Sequence, residues 1–385
     1  MRITIVMGHA DLMPPDSGDS TARSWNLLAT EFAKQGHEVT ILSRRWRGTP
    51  AHELREGVRH IRVPGFDRTW RMGKSMWRDF RWSGRAMRAI PDSDITVTVG
   101  GLFVPLRLGY RHGRYGQIVV APAGLSRKRF RLLKRVDSVL AISSPVKAAI
   151  ASVMPKLTPK IHVVGFPIDW QLLSKAKPSV EAEDPVTIGY LGRLHPEKGT
   201  DVLVQALEQL QGMSLSQPWR VVFSKARESS TGSTTNEMYA TAVERRLVAL
   251  LGPDRFVLRQ APRTTERLVA TYYEIDVFCY PSLQRTREIY SLAVVEAMAS
   301  GAVPVVSDLP FAPDLIEIGV NGEIFDPRAP EAADRLARTL ARLVTDRAYR
   351  ATMSEAARQS VYRFDVPLLA SRLLADFATL ALATK

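Results

Sequence analysis

What most constrains this chain is an order of segments found near its start and again near its middle. Residues 3–7 form a short apolar run, Ile3 to Met7, that reads as a buried strand. A polar loop, 8–20, follows. A helical pattern then covers 21–35, with Trp25, Leu28, Ala29 and Phe32 on one side. Gly36 ends it, and 38–42 is the next strand. The second instance opens with a strand and loop at 186–194, passes into a helix at 201–210, and reaches a strand at 219–223. Strand, loop, helix, strand is the doubly wound arrangement, in which ligands gather at the C-terminal ends of parallel strands. Only the order recurs; no repeat of 20–50 residues is present.

At 385 residues the chain is too long for one ordinary core, and two domains are expected. Its single cysteine, Cys279, rules out a disulfide framework within the chain and suits a reducing cytoplasm. The first strand starts too early and is too short to read as a signal peptide, and no apolar run has the length of a membrane span. No Cys and His cluster has metal-ligand spacing, so no metal and no cofactor are expected. The net charge of +14 predicts attraction to anions, whether nucleotide phosphates, acidic lipid or nucleic acid.

The chemistry concentrates in two stretches. The first runs from Arg287 to Gly301 and holds two carboxylates eight positions apart. Glu288 falls on a loop just before an apolar helical run, and Glu296 falls inside that run. The helix start offers unpaired N–H groups around Tyr290, Ser291 and Leu292 and a positive dipole end, which suit a phosphate. Glu296, two turns deeper, suits vicinal hydroxyls such as those of a ribose. The second stretch is Gly192-Arg193-Leu194 followed by Glu197-Lys198-Gly199. Arg193 and Lys198 lie on a loop entering a helix, a guanidinium fork and a point charge suited to a diphosphate.

The Glu288 and Glu296 spacing resembles the Glu-x7-Glu motif of the retaining GT-B glycosyltransferases of family 4. The Gly-Arg-Leu and Glu-Lys-Gly pieces, the "Gly-His-Glu-Val-Thr" after the first helix and Asp276 to Ser282 are similar to that family too, so the resemblance spans nearly the whole chain. It implies an α/β fold of two Rossmann-like domains facing a cleft. Residues 1–170 would bind the acceptor and be completed by a C-terminal helix at about 365–385. Residues 180–364 would bind a nucleotide-diphosphate sugar, UDP- or GDP-linked, after a linker at 174–185. It implies sugar transfer with retention and without a metal. Arg193 and Lys198 would hold the donor phosphates, Glu288 would act on the sugar, and Glu296 would grip the ribose. Gly18 is the matching glycine of the first loop. The histidine that many members carry after the strand at 117–120 is absent. A Pro-x-Gly turn, Pro122 to Gly124, stands there, and His9 and Arg23 are candidates to fill the space on the acceptor side.

Residues 68–90 place Arg71, Lys74, Arg78, Arg81, Arg85 and Arg88 at three-four spacing. Met72, Met76, Phe80, Met87 and Ile90 are expected on the opposite, buried face, with Trp70 and Trp77 at its border. Such a helix is either a crossover helix with a solvated basic side or one that faces an anion. A second basic cluster spans 127–135. Both favour an acceptor that is anionic or lipid-linked, though a small metabolite stays open, and peripheral contact with the inner face of the membrane. Nucleic acid is not expected. Two other classes remain open: a nucleotide-sugar epimerase of the same fold, and a non-catalytic module binding anionic surfaces.

Overall fold

The computed structural model describes the chain except residues 16–18, 68, 70, 112, 125–129, 132, 176–183, 226–233, 262–263, 287 and 383–385. Gly18, Trp70, Arg127 to Arg129 and most of the expected linker therefore lie outside the described residues. The chain divides into two units, Met1–Ile168 with Phe364–Lys385, and Asp169–Arg363.

The first unit is built on β1 (Arg2–Val6), β2 (Glu38–Arg45), β3 (His52–Arg55), β4 (Val58–Pro64), β5 (Ile95–Val99), β6 (Gln117–Ala121), β7 (Ser138–Ala141) and β8 (Ile161–Val163). Their order across the sheet is β3-β4-β2-β1-β5-β6-β7-β8. All neighbours are parallel except β3 and β4. That pair is a hairpin turned by Glu56 and Gly57, both at positive φ (52° and 78°), as a tight two-residue turn requires. The inner strands are buried on both faces, as in a sheet covered on both sides, with Thr4, Thr96, Thr98 and Ser138 buried among the apolar residues.

The second unit carries β9 (Val186–Gly192), β10 (Trp219–Lys225), β11 (Phe256–Gln260), β12 (Val277–Tyr280), β13 (Val303–Ser307) and β14 (Glu323–Phe325). They run in the order β11-β10-β9-β12-β13-β14, all parallel. Numbered within the unit this is 3-2-1-4-5-6, the Rossmann order. Setting the hairpin strand β3 aside, the first unit begins the same way. Each sheet therefore has a switch point where successive crossovers leave in opposite directions: β1 beside β5, and β9 beside β12.

The helix Ser20–Lys34 starts at Asp19, whose carboxylate accepts from the N–H groups of Thr21 (3.1 Å) and Ala22 (3.2 Å). Its buried Trp25, Leu28, Ala29 and Phe32 pack over the first sheet. The last helix, Val366–Leu382, adds Leu369, Ala370, Leu373, Leu374 and Phe377 to the same core, with Phe377 edge-on to Phe32 at 6.1 Å. No described helix is long and apolar enough to cross a membrane.

The helix Met72–Ala89 corrects the expected pattern. Its buried side comprises Asp79, Trp82, Ser83, Ala86 and Met87, whereas Met76, Trp77 and Phe80 are 39%, 52% and 49% exposed. The cause is Asp79. Its carboxylate turns inward to accept from the N–H groups of Leu102 (2.7 Å) and Phe103 (3.2 Å) in the loop after β5. That rotation moves Phe80 to the edge, against Phe103 at 5.4 Å and beneath the Arg107 guanidinium at 4.7 Å.

Candidate active site

The switch point of the second unit gathers the residues singled out by sequence. β9 and β12 are adjacent and parallel, so the loops that leave their C-terminal ends emerge side by side. The β9 loop carries Arg193 and Lys198; the β12 loop carries Glu288. Backbone bonds join the two loops, with Leu283 N–H donating to the Glu197 carbonyl at 2.9 Å. Gly199 lets them close: at φ 65° it sits where a Cβ would fall 1.9 Å from the Pro281 carbonyl oxygen.

Lys198 and Glu288 meet there as an ion pair, and their side chains are only 15% and 13% exposed. The second oxygen of Glu288 accepts from the Tyr280 hydroxyl at 2.8 Å. Tyr280 is the last residue of β12 and is buried. Burial, with the Glu288 charge beside it, pushes its phenol well above the ordinary value and keeps it a donor. The Lys198 ammonium also lies 5.7 Å from the centre of the Tyr280 ring. Glu288 is thus held from two directions. Neither the Lys198 pairing nor the part of Tyr280 follows from local sequence. The one available signal for Tyr280 was a hydroxyl-bearing residue closing an otherwise apolar strand.

Arg193 is exposed, and its guanidinium has no carboxylate partner among the described residues. Its backbone is fixed from below: the buried Tyr190 hydroxyl donates to the Arg193 carbonyl at 2.6 Å. Gly192 accommodates that hydroxyl, which a Cβ would approach to 2.9 Å.

Past Tyr290, Ser291 caps the helix Leu292–Ala299, its hydroxyl accepting from Val294 N–H at 3.4 Å. Leu292 therefore stands at the positive end of that helix. Glu296 lies within it at 8% exposure and accepts from the Tyr272 hydroxyl at 3.0 Å.

The acceptor-side candidates belong to the first unit. His9 lies in the loop leaving β1, at the switch point of that sheet, with Nδ1 4.0 Å from Asp79. Burial pushes its imidazole down further than Asp79 lifts it, favouring the neutral ring. Pro122 and Gly124 occupy the loop after β6, on the same edge of the sheet, and a Cβ at Gly124 would meet nothing within 4 Å. Arg23 is in the first turn of Ser20–Lys34.

Comparisons with known proteins follow the same division. The model of glycosyl transferases group 1 matches residues 174–360, and that of glycosyltransferase family 4 matches 21–171. A D-inositol 3-phosphate glycosyltransferase of Corynebacterium efficiens is 30% identical over 186 residues, 48% of this chain and 41% of that protein. The chain thus spans about four-tenths of the length of that relative. A GDP-mannose-dependent alpha-(1-6)-phosphatidylinositol monomannoside mannosyltransferase of Mycobacterium tuberculosis is 25% identical, covering 94% of this chain and 95% of that one. In fold, a sucrose-phosphate synthase from Thermosynechococcus elongatus superposes with a TM-score of 0.78 at 18% identity, covering 99% of each chain. The solved structure shares the fold, and with one family model on each unit, together matching residues 21–171 and 174–360, the chain belongs to glycosyltransferase family 4.

Proposed function

We propose that this protein transfers a sugar from a nucleoside-diphosphate sugar to an acceptor hydroxyl, with retention of configuration and without a metal. The observation that carries the reading is the convergence of Arg193, Lys198 and Glu288 on two loops at the switch point of the second sheet. The bond from the sugar C1 to the β-phosphate oxygen breaks, and its electron pair leaves with the diphosphate. The acceptor oxygen bonds to C1, and its proton passes to the departing phosphate. Charge therefore grows on the diphosphate, where Arg193 and Lys198 stabilise it. Glu288 orients the sugar and faces the positive charge that develops at C1. Glu296 takes the ribose hydroxyls. The N–H groups at Ser291 and Leu292 add to the phosphate cradle. The two curated relatives are named for sugar transfer, one of them from GDP-mannose, which supports the GDP-linked member of the UDP- or GDP-linked pair.

The test is a thermal-shift panel of UDP, GDP, dTDP, ADP and CDP with a chelator present. One nucleotide should raise the melting temperature, and Arg193→Ala should weaken that binding about tenfold or more, the loss of a charge-assisted contact. A panel without any shift would remove the donor site from the second unit.

A second reading concerns where the enzyme works. Met76, Trp77 and Phe80 are exposed among the exposed cations Arg71, Lys74 and Arg81. Aromatic and basic side chains together suit an anionic bilayer surface, and we infer peripheral contact there.

A further inference from the structure

A cavity of about 900 Å³ opens in the first unit at the C-terminal ends of β2 and β4. Arg44, Arg45, Arg47 and Arg78 line it, together with Trp46 and Phe66, and Asp67 is the one acidic residue of its lining among the described residues. Two of the four guanidiniums are fixed. Arg44 is mostly buried, paired with Asp67, and donates to the Phe66 carbonyl at 3.0 Å. Arg78 donates to the Asp67 carbonyl at 2.5 Å and lies over the Phe66 ring at 5.8 Å. The other two, Arg45 and Arg47, are exposed, with no carboxylate partner among the described residues. Arg45 precedes and Arg47 lies within a turn held by Thr49, whose hydroxyl donates to the Trp46 carbonyl at 2.8 Å.

The cavity abuts the switch loop of its own sheet. Phe66 N–H donates to the His9 carbonyl at 3.0 Å. Gly65 makes that approach possible, since a Cβ there would fall 2.7 Å from the same oxygen and 2.5 Å from the Arg44 side chain. Among the described residues, four guanidiniums against one carboxylate leave a site that lacks anionic charge. Planar forks with several N–H donors match the oxygens of a phosphate better than those of a neutral sugar. The aromatic rings add an apolar wall on which a ring or a lipid stem can lie.

We propose that this cavity binds the phosphate of the acceptor, and hence that the acceptor is a phosphate ester. The proposal rests on the transferase reading and names the substrate class of its acceptor half. A soluble phosphomonoester and the phosphodiester of a lipid headgroup share this chemistry, so the test has an arm for each.

Calorimetric titration of the full chain would use D-inositol 3-phosphate, dioctanoyl-phosphatidylinositol below its micelle concentration, and myo-inositol without phosphate. At least one phosphate ester should bind while myo-inositol does not, and the ester that binds identifies the source. Arg45→Ser with Arg47→Ser should weaken that binding about tenfold or more, as expected for two charge-assisted contacts. Arg335→Ser with Arg338→Ser removes the same charge from an exposed helix of the second unit and should leave it unchanged. Equal binding of myo-inositol, full affinity in the Arg45 and Arg47 variant, or an equal loss in the control would overturn the proposal. So would failure of both esters while the nucleotide shift persists. If the nucleotide shift fails as well, the transferase reading falls and the acceptor assignment with it.

Discussion

At the scale of single residues, the centre of the second unit depends on how firmly Glu288 is held. Lys198 and Tyr280 grip its two oxygens, and both contacts are largely shielded from water. Tyr280→Phe keeps the ring and the strand but deletes one donor. A hydrogen bond to a charged group contributes about 1.5–3 kcal/mol. We expect kcat to fall by about tenfold or more, with nucleotide affinity within about twofold of the parent. Steady-state kinetics beside nucleotide titration checks this; an unchanged kcat would remove Tyr280 from the positioning of Glu288. Because burial and Glu288 raise the Tyr280 phenol, its ionisation should contribute no limb to the rate profile at neutral pH. Sequence supplied Arg193, Lys198, Glu288 and Glu296 as candidates through local pattern. The Lys198 and Glu288 contact was illegible because it joins loops 90 positions apart, and only the adjacency of β9 and β12 brings them together.

At the scale of elements, period and turn chemistry located β1 and the first helix to within a residue or two, because each is a strongly patterned segment, while β2 runs three residues beyond the expected 38–42. The β3–β4 hairpin escaped notice. β3 is polar and largely exposed at the sheet edge, and two of the buried positions of β4 are filled by His60 and Arg62 rather than by apolar residues, so neither strand shows an apolar alternation. The helix Met72–Ala89 keeps Met87 and Ile90 buried and Arg71, Lys74, Arg81 and Arg88 exposed as expected, but Met76 and Phe80 stand outside the core. Spacing counts Met76 and Phe80 as core, and cannot foresee that a buried aspartate would take the inward position for two backbone N–H groups. The resulting exposure of Trp77 and Phe80 makes the membrane reading testable. Trp77→Ser with Phe80→Ser leaves every cation in place. Sedimentation with phosphatidylglycerol vesicles should show binding reduced about tenfold, since two large side chains lose their burial at about 25 cal/mol per Å². Parental binding by this variant would show that charge alone, or nothing at this helix, holds the protein to the bilayer.

At the scale of the whole molecule, both units follow one Rossmann rule, yet their titrating groups are unevenly shared. His9, His37 and His60 all belong to the first unit, and burial lowers all three. His60 is the extreme case. It lies on β4 at 2% exposure, with Nδ1 lacking a partner among the described residues. Burial first, and then the neighbouring Arg62 and Arg55, push it down to about 4, against the opposing pull of Glu53 and Glu56. The sign follows from which state takes the proton. Below about pH 6.5 the unfolded chain protonates this histidine while the folded chain does not. The stability present above that pH is therefore lost as the pH falls towards 4, and the loss belongs to the first unit. Thermal melts taken between neutral pH and pH 4 should show a falling midpoint. His60→Leu, an apolar side chain on a buried strand, should flatten that slope whatever it does to the midpoint at neutral pH. The saturating nucleotide of the donor panel stabilises the second unit by mass action without touching His60, so it should leave the acid slope of the first unit unaltered. An identical slope in parent and His60→Leu would place the acid sensitivity elsewhere, in the carboxylates that both units hold in ion pairs.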